Sequence, residues 1–200
     1  TDRQTDRQTD RQTVIATLGE IGKISMCKRI FKNETSAIGE VPFFKIGTFG
    51  GTPDAFISRE LYEDYKAQYS FPKKGDILIS AAGTIGRAVK YDGQPAYFQD
   101  SNIVWMDNDE KLVRNNYLYY LYQIIEWETD GGTIQRLYND NIRRTKIAFP
   151  SLEEQARIVA ILDKFDTLVN SISEGLPREI ELRRKQYEHY RDRLLSFPEQ

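Results

Sequence analysis

A strand-rich α+β domain with peripheral helices, followed by a long coiled-coil helix, is the fold that this 200-residue sequence predicts. Three observations predict it. Residues 14–150 mix short apolar runs, helical patterns and turn residues without the regular strand–helix alternation of a parallel sheet. After Pro150 the apolar spacing becomes helical. The first twelve residues are three copies of Thr-Asp-Arg-Gln, a period close to one helical turn. The expected organisation is a helical spacer built on the repeat at 1–13, the mixed domain at 14–150 and the long helix at 151–200.

Each repeat unit would lengthen a helix by about 6 Å. The unit holds Asp and Arg but no strongly apolar residue, so it is expected to order only against another helix. A frayed polar terminus is the competing reading. "VPFFKIG" (Val41–Gly47) reads as a strand. "SRELYEDYKAQYS" (Ser58–Ser70) reads as a helix capped by Ser58, with Leu61, Tyr62, Tyr65 and Tyr69 on one face. "GDILISAAGTIGRAVKY" (Gly75–Tyr91) predicts two strands about a glycine turn at Gly83, and "AYFQDSNIVWM" (Ala96–Met106) a further strand or pair. "NNYLYYLYQIIEW" (Asn115–Trp127) predicts a second helix with Leu118, Leu121, Tyr122 and Ile125 inward. A loop at Gly131-Gly132, a basic stretch and a strand at Lys146–Phe149 complete the domain.

Ser151 and Glu154 make a capping box for the final helix. Its seam runs Ile158, Ile161, Phe165, Leu168, Ile172, Leu176, Ile180, Arg183, Tyr187, Tyr190, Leu194, Phe197, and only Arg183 breaks the apolar rule. The mean step of about 3.5 residues is that of a coiled coil. Gly175 and Pro177 interrupt the pattern, which resumes in register beyond them, so a kinked helix is expected rather than two unrelated ones. A continuous helix of this length would reach about 70 Å and bury nothing alone, so its seam needs a partner helix.

Net charge is −2, and residues 1–150 balance 20 Lys and Arg against 20 Asp and Glu, so no global basic field draws the chain to nucleic acid. A lone cysteine, Cys27, excludes an internal disulfide and suits a reducing cytoplasm; with the lone histidine, His189, it leaves no His/Cys metal cluster. No stretch approaches the roughly 20 apolar residues of a membrane span. Catalytic motifs are missing where they would be sought. "GEIGKIS" lacks the spacing of a phosphate loop, "GTFGGT" and "GTIGRA" are not dinucleotide fingerprints, and there is no G-x-S-x-G elbow. Asp54 follows Pro53 with no Glu-x-Lys at nuclease spacing, and no Pro-Pro-aromatic motif of an amino-methylating enzyme is present. No catalytic centre, metal site or cofactor is expected in this chain.

Four stretches carry a family resemblance: "TLGEIGKI", "FPKKGDILISAAGTIGRAVKYDGQPAYFQDSNIVWM", "GGTIQRLYNDNIRRTKIAFPSLEEQARIVAILDKFDTLV" and "EIELRRKQYEHYRDRLLSF". In this order, over Thr17–Phe197, they resemble a specificity subunit of a type I restriction–modification system. The resemblance implies that residues 14–150 are a target-recognition domain reading one half of a split double-stranded DNA site, and that the long helix docks methyltransferase subunits. It further implies a motor-nuclease subunit completing the complex, with S-adenosylmethionine, ATP and Mg belonging to those partners. Family members carry two recognition domains held apart by two antiparallel helices; this chain has one of each. A homodimer through Ile158, Ile161, Phe165, Leu168, Ile172, Ile180, Tyr187 and Leu194 would supply the second. Glu153, Gln155, Arg157, Arg184, Gln186 and Arg191 are expected off the seam, available to methyltransferase subunits. The competing function is a coiled-coil assembly or regulatory protein of the same complex that binds protein rather than DNA.

Sequence reading needs donors and acceptors at base edges, and affinity needs cations at phosphates. The densest candidate is "GGTIQRLYNDNIRRTK", where Gln135, Asn139 and Asn141 suit adenine, Arg136 or Arg143 suit guanine, and Arg144 adds charge. The hairpin "AAGTIGRAVK" offers Thr84 and Arg87 beside the preceding Ser80, and "FKIGTFGGT" offers Lys45 and Thr48. Lys28, Arg29 and Lys32 read as phosphate neighbours or plain surface. The resemblance also gives the repeat a role, as a ruler between half-sites. Deleting one Thr-Asp-Arg-Gln unit is expected to change the spacer of the methylated sequence, as read by methylome sequencing; an unchanged spacer removes the ruler.

Overall fold

The computed structural model describes residues 13–129 and 135–167, together with residues 182, 184–186 and 189. The repeat at 1–12 and the seam positions from Leu168 onward, with Gly175 and Pro177, lie outside the described residues.

In chain order the elements are β1 (Val14–Thr17), α1 (Leu18–Ile21), β2 (Gly22–Ser25), a 3₁₀ turn (Lys32–Glu34), β3 (Val41–Phe44), β4 (Phe56–Ile57), α2 (Arg59–Gln68), β5 (Ile77–Ser80), β6 (Ala88–Lys90), β7 (Tyr97–Phe98), β8 (Ile103–Asn108), α3 (Asn115–Tyr122), α4 (Asn139–Arg144), β9 (Lys146–Phe149) and α5 (residues 152–167). The α+β class is therefore as expected. The opening "VIATLGEIGKIS", for which sequence gave no elements, forms a strand, a one-turn helix and a strand.

Three sheets result: β2-β8-β5-β6, β4-β3-β7 and the pair β1-β9. The four-stranded sheet is antiparallel throughout and buried on both faces in its middle. Alternation along each strand sorts its side chains. Leu78, Ile103 and Trp105 enter one hydrophobic cluster, with α2 and the aromatic stack of Tyr62, Phe71, Tyr91 and Tyr97. Ile77, Ile79, Val104 and Met106 enter the other, with Leu18, Leu118, Ile142 and Phe149. That double burial explains why "DILIS" shows no polar face.

Helix α2 starts as expected, with the Ser58 hydroxyl accepting from the Leu61 N–H (3.2 Å). Tyr69 is exposed rather than inward, because it sits past the helix end in extended backbone. Helix α3 stops at Tyr122, five residues short of the expected end. Its last turn tightens through Gln123 N–H to the Tyr120 carbonyl (3.2 Å), which frees the chain to bring Trp127 back onto Tyr122 (ring centroids 5.6 Å). Cys27 is buried beneath β7, and desolvation pushes its thiol up to about 12, so it is an inert core group.

The two ends of the domain are joined by β1 and β9, antiparallel, with Val14 opposite Phe149 and Thr17 opposite Lys146. The chain thus enters and leaves at one place. Compact packing continues past the expected break at Pro150, and the two units divide between Ala156 and Arg157. Gln155 is part of that continuation. Expected on the outer face for a partner subunit, it is 0% exposed. Its Oε1 accepts from the Arg114 N–H, and its Nε2 donates to the Leu112 and Pro150 carbonyls, all at 2.9 Å. The first turns of α5 therefore belong to the domain. Of the capping box, the Ser151 hydroxyl accepts from the Glu154 N–H at 3.4 Å.

Removing this amide leaves buried backbone groups without partners, each worth roughly 1–3 kcal/mol. Gln155→Ala is expected to lower unfolding free energy by about 3 kcal/mol in urea titration. Gln155→Glu should match that loss at neutral pH, because a carboxylate would face two carbonyls. Its folded pKa is raised, so the penalty shrinks as pH falls toward the ordinary glutamate value of about 4.3.

Candidate nucleic-acid interface

Strand β5 ends at Ser80, and the seven residues that follow form the turn expected at Gly83. Ala81 N–H donates to the Asn102 carbonyl (2.7 Å), Gly86 N–H to the Ser80 carbonyl (2.9 Å) and Ser80 N–H to the Arg87 carbonyl (3.0 Å). Ser80 corrects the sequence expectation: it is 2% exposed. Its hydroxyl donates to the Thr84 carbonyl and accepts from the Arg87 N–H (2.9 Å), so it ties the turn internally instead of facing solvent. Thr84 is left exposed at the tip. Gly86 is required twice. Its φ is +77°, and a Cβ there would lie 2.3 Å from Trp127 Nε1.

The "FKIGTFGGT" loop lies against this turn. The Thr48 hydroxyl accepts from the Lys45 N–H (3.2 Å) and donates to the Lys45 carbonyl (3.3 Å), so it too is spent on shaping its own loop. Lys45 pairs with Asp54 (2.8 Å). The exposed Arg87 side chain reaches across, and its Nη1 donates to the Phe49 carbonyl (2.7 Å). A cavity of about 190 Å³ between the two segments is lined by Ile46, Gly47, Phe49, Gly83, Thr84 and Arg87, with Ser80 at its floor.

The third candidate joins the same edge at its near end. Leu137 N–H donates to the Ala81 carbonyl (2.8 Å), and Ala82 and Arg136 form an isolated antiparallel bridge. Arg136 Nη2 donates to the Ser101 carbonyl (3.2 Å), and its guanidinium lies 5.9 Å from the Tyr138 ring centre. Gln135 is exposed beside it. Ser101 has φ +56°, a left-handed conformation uncommon for a residue with a Cβ. Sequence reasoning placed no function at Gln99–Asn102. The signal available was the polar cluster "QDSN" between two apolar runs, a turn signature. Asp100, Ser101 and Asn102 border a larger open cavity of about 570 Å³ with Arg29, Lys32 and Lys45, in which Arg29 pairs with Asp100 (2.9 Å).

Asn139–Arg144, expected as part of a loop, is helix α4. Asn139, Arg143 and Arg144 are exposed on it. Asn141 is turned away from that role, since its Nδ2 donates to the Glu128 carbonyl (2.7 Å). Arg143 pairs weakly with Asp140 (3.7 Å), and Arg144 Nε donates to the Asp140 carbonyl (3.2 Å). Their neighbours are those of α1: Gly19 would place a Cβ 3.1 Å from the Arg143 carbonyl, and both arginines line an open cleft of about 450 Å³ with Thr17 and Glu20. The Thr17 N–H and hydroxyl hold the Glu20 carboxyl below its usual range. Lys45, Thr84, Arg87, Gln135 and Arg136 thus share one edge, while Arg143 and Arg144 stand in a second neighbourhood.

On α5, Ile161 is 40% and Phe165 61% exposed, while Ile158 is half-buried. Among the described residues no group of three or more His, Cys, Asp or Glu could hold a metal ion, and no helix is long and apolar enough to cross a membrane.

Residues 12–182 match a family described as type I restriction modification DNA specificity domain. The chain is 62% identical over 184 residues, 92% of its length, to a Haemophilus influenzae protein named as a type I restriction enzyme specificity subunit. It is 61% identical, over an alignment of 200 positions that covers 91% of its length, to the specificity subunit of an Escherichia coli type I restriction enzyme. It covers 48% of each, so it spans about half the length of these relatives. Among solved structures, an S subunit from M. genitalium aligns over 92% of this chain and 46% of its own (TM-score 0.60, 20% identity). The HsdS subunit from Thermoanaerobacter tengcongensis aligns over 82% and 39% (TM-score 0.57, 22% identity), so the fold is shared.

A side chain at Gly86 meets both a left-handed backbone and the Trp127 ring. Gly86→Ala is expected to cost at least about 2 kcal/mol of unfolding free energy and to move the Trp127 fluorescence. Thr84→Ala, at the exposed tip, should stay within about 0.5 kcal/mol of the parent.

Proposed function

The chain belongs to the type I restriction modification DNA specificity domain family, and from that membership we propose that it reads one half of a split double-stranded DNA site as a non-catalytic component. The observation that carries this reading is the convergence of three segments far apart in sequence on one edge. Backbone bonds from Leu137 to Ala81 and the Arg87 bond to Phe49 join them. The edge offers what base reading requires: Gln135 and Thr84 as donors and acceptors, Arg136 as a guanidinium, and glycine-rich backbone that allows close approach. Arg143, Arg144 and Asn139 flank it and supply phosphate contacts, with Lys45 released from Asp54 as a further cation.

The partners follow from the same reading. The exposed Ile161 and Phe165 begin a seam through which a second copy pairs antiparallel, with Ile158 and the seam positions outside the described residues. Methyltransferase subunits dock on the charged faces of the helix, and a motor-nuclease subunit joins the assembly. S-adenosylmethionine, ATP and Mg serve those subunits. The complex works in the cytoplasm, where its DNA is.

The test is retention of the chain, co-expressed with methyltransferase subunits, on a defined duplex against single-base-changed competitors across a salt series. Sequence-specific retention is expected, with log K falling linearly with log salt. Arg136→Ala should weaken binding by roughly 1–3 kcal/mol, concentrated at one base pair. A loss uniform across sequences, with a shallower salt slope, makes Arg136 a phosphate contact. Assembly with methyltransferase subunits but no sequence-specific retention overturns the reading in favour of an assembly protein.

A further inference from the structure

We propose that Arg87 is a positioning residue, which pins the turn 81–87 to the loop 46–52 so that the two act as one rigid reading edge; this rests on the DNA-reading function above. Sequence makes an arginine in an exposed glycine turn look like a DNA contact. The geometry gives it another task. Its backbone is held twice by Ser80, through Arg87 N–H to the hydroxyl (2.9 Å) and Ser80 N–H to the Arg87 carbonyl (3.0 Å). Its Nη1 then donates to the carbonyl of Phe49, whose ring is 1% exposed in the hydrophobic core. One end of the bridge is therefore fixed in a strand end and the other in the core.

Glycine suits the facing surfaces, through positive φ at Gly50 and Gly83 and through limited room at Gly50. At Gly50 (φ +77°) a Cβ would lie 3.4 Å from Arg87 Cδ and 3.3 Å from Val89 Cγ2, and at Gly83 3.5 Å from Ile46 Cγ1. The two loops also border the open cavity of about 190 Å³. Beside that space Ile46, Phe49 and Val89 pack in one hydrophobic cluster, and the guanidinium–carbonyl bond ties the turn to the loop. On the turn's other side Gly86 rests on Trp127, and Ala81 receives the Leu137 N–H, so Arg87 adds a third attachment, to the 46–52 loop. A carbonyl partner rather than a carboxylate fixes the side chain without cancelling its charge, so the strut does not weaken the electrostatic attraction of the edge for DNA.

The test uses the full chain with its methyltransferase subunits, in Arg87→Met, which removes the donor, and Arg87→Lys, which keeps the charge on a shorter, unbranched end. Amide hydrogen exchange at Thr48 and Gly51, which bond within the 45–51 loop, should rise about tenfold in Arg87→Met and less in Arg87→Lys. Exchange in β5 and β8 should stay unchanged. Discrimination between the cognate duplex and single-base variants should fall about tenfold over several base pairs, with the salt slope unchanged. Unaltered loop exchange in both variants overturns the strut. So does a salt slope reduced by about 0.9 with discrimination intact, which marks a phosphate contact, or a loss confined to one base pair, which marks a base reader. If the parent complex shows no sequence-specific retention, the DNA reading fails on its own, and the exchange measurement still decides the strut.

Discussion

The pairing of β5 with β8 governs the domain. Leu78 faces Trp105, Ile79 faces Val104 and Ser80 faces Ile103, and both faces of this pair are buried. Each buried Leu or Ile contributes about 1.5–3 kcal/mol, so a slip of one residue would exchange the two cores' side chains and lose most of that stabilisation. A register this firmly fixed makes the strand ends reliable mounts. The turn 81–87 springs from the last buried residue of β5, and Ser101 and Asn102 lead directly into β8. Ala81 bonds to Asn102 across the pair and receives Leu137 from the far end of the domain. The edge made by residues 81–87, 101–102 and 136–137 is an extension of the core ladder.

A second constraint acts at the domain's boundary. The β1–β9 pair closes the domain on itself, with Val14 opposite Phe149 and Thr17 opposite Lys146. Gln155 secures that boundary by bonding three separate backbone groups from inside the first turns of α5. An amide fully occupied by backbone partners is stiffer than apolar packing alone, because hydrogen bonds are directional.

Charge is handled locally. The chain is nearly neutral, and several cations near the edge are paired with acids, Lys45 with Asp54 and Arg29 with Asp100. Arg87 and Arg136 bind main-chain carbonyls, of Phe49 and Ser101.

Periodicity and turn chemistry made much of the fold readable. The Ser58-capped helix, the strands about Gly83, the strand at Lys146–Phe149 and the helix entry after Pro150 lie where residue spacing puts them, since local sterics and alternation decide such features. The family was readable for the same reason, as ordered motifs along the chain. Position in space was not. Ser80 and Thr48 look like surface hydroxyls until their loops close and consume them, and Asn141 like a base reader until Glu128 takes its amide. Gln155 looks like a solvated helix residue until the 112–114 segment, 41 residues away from it at Arg114, folds over it. Sequence alone determined which groups are available and in what order; tertiary structure alone decided which of them remain free. Hydrogen-bond partners are chosen by three-dimensional proximity, which separation along the chain does not encode.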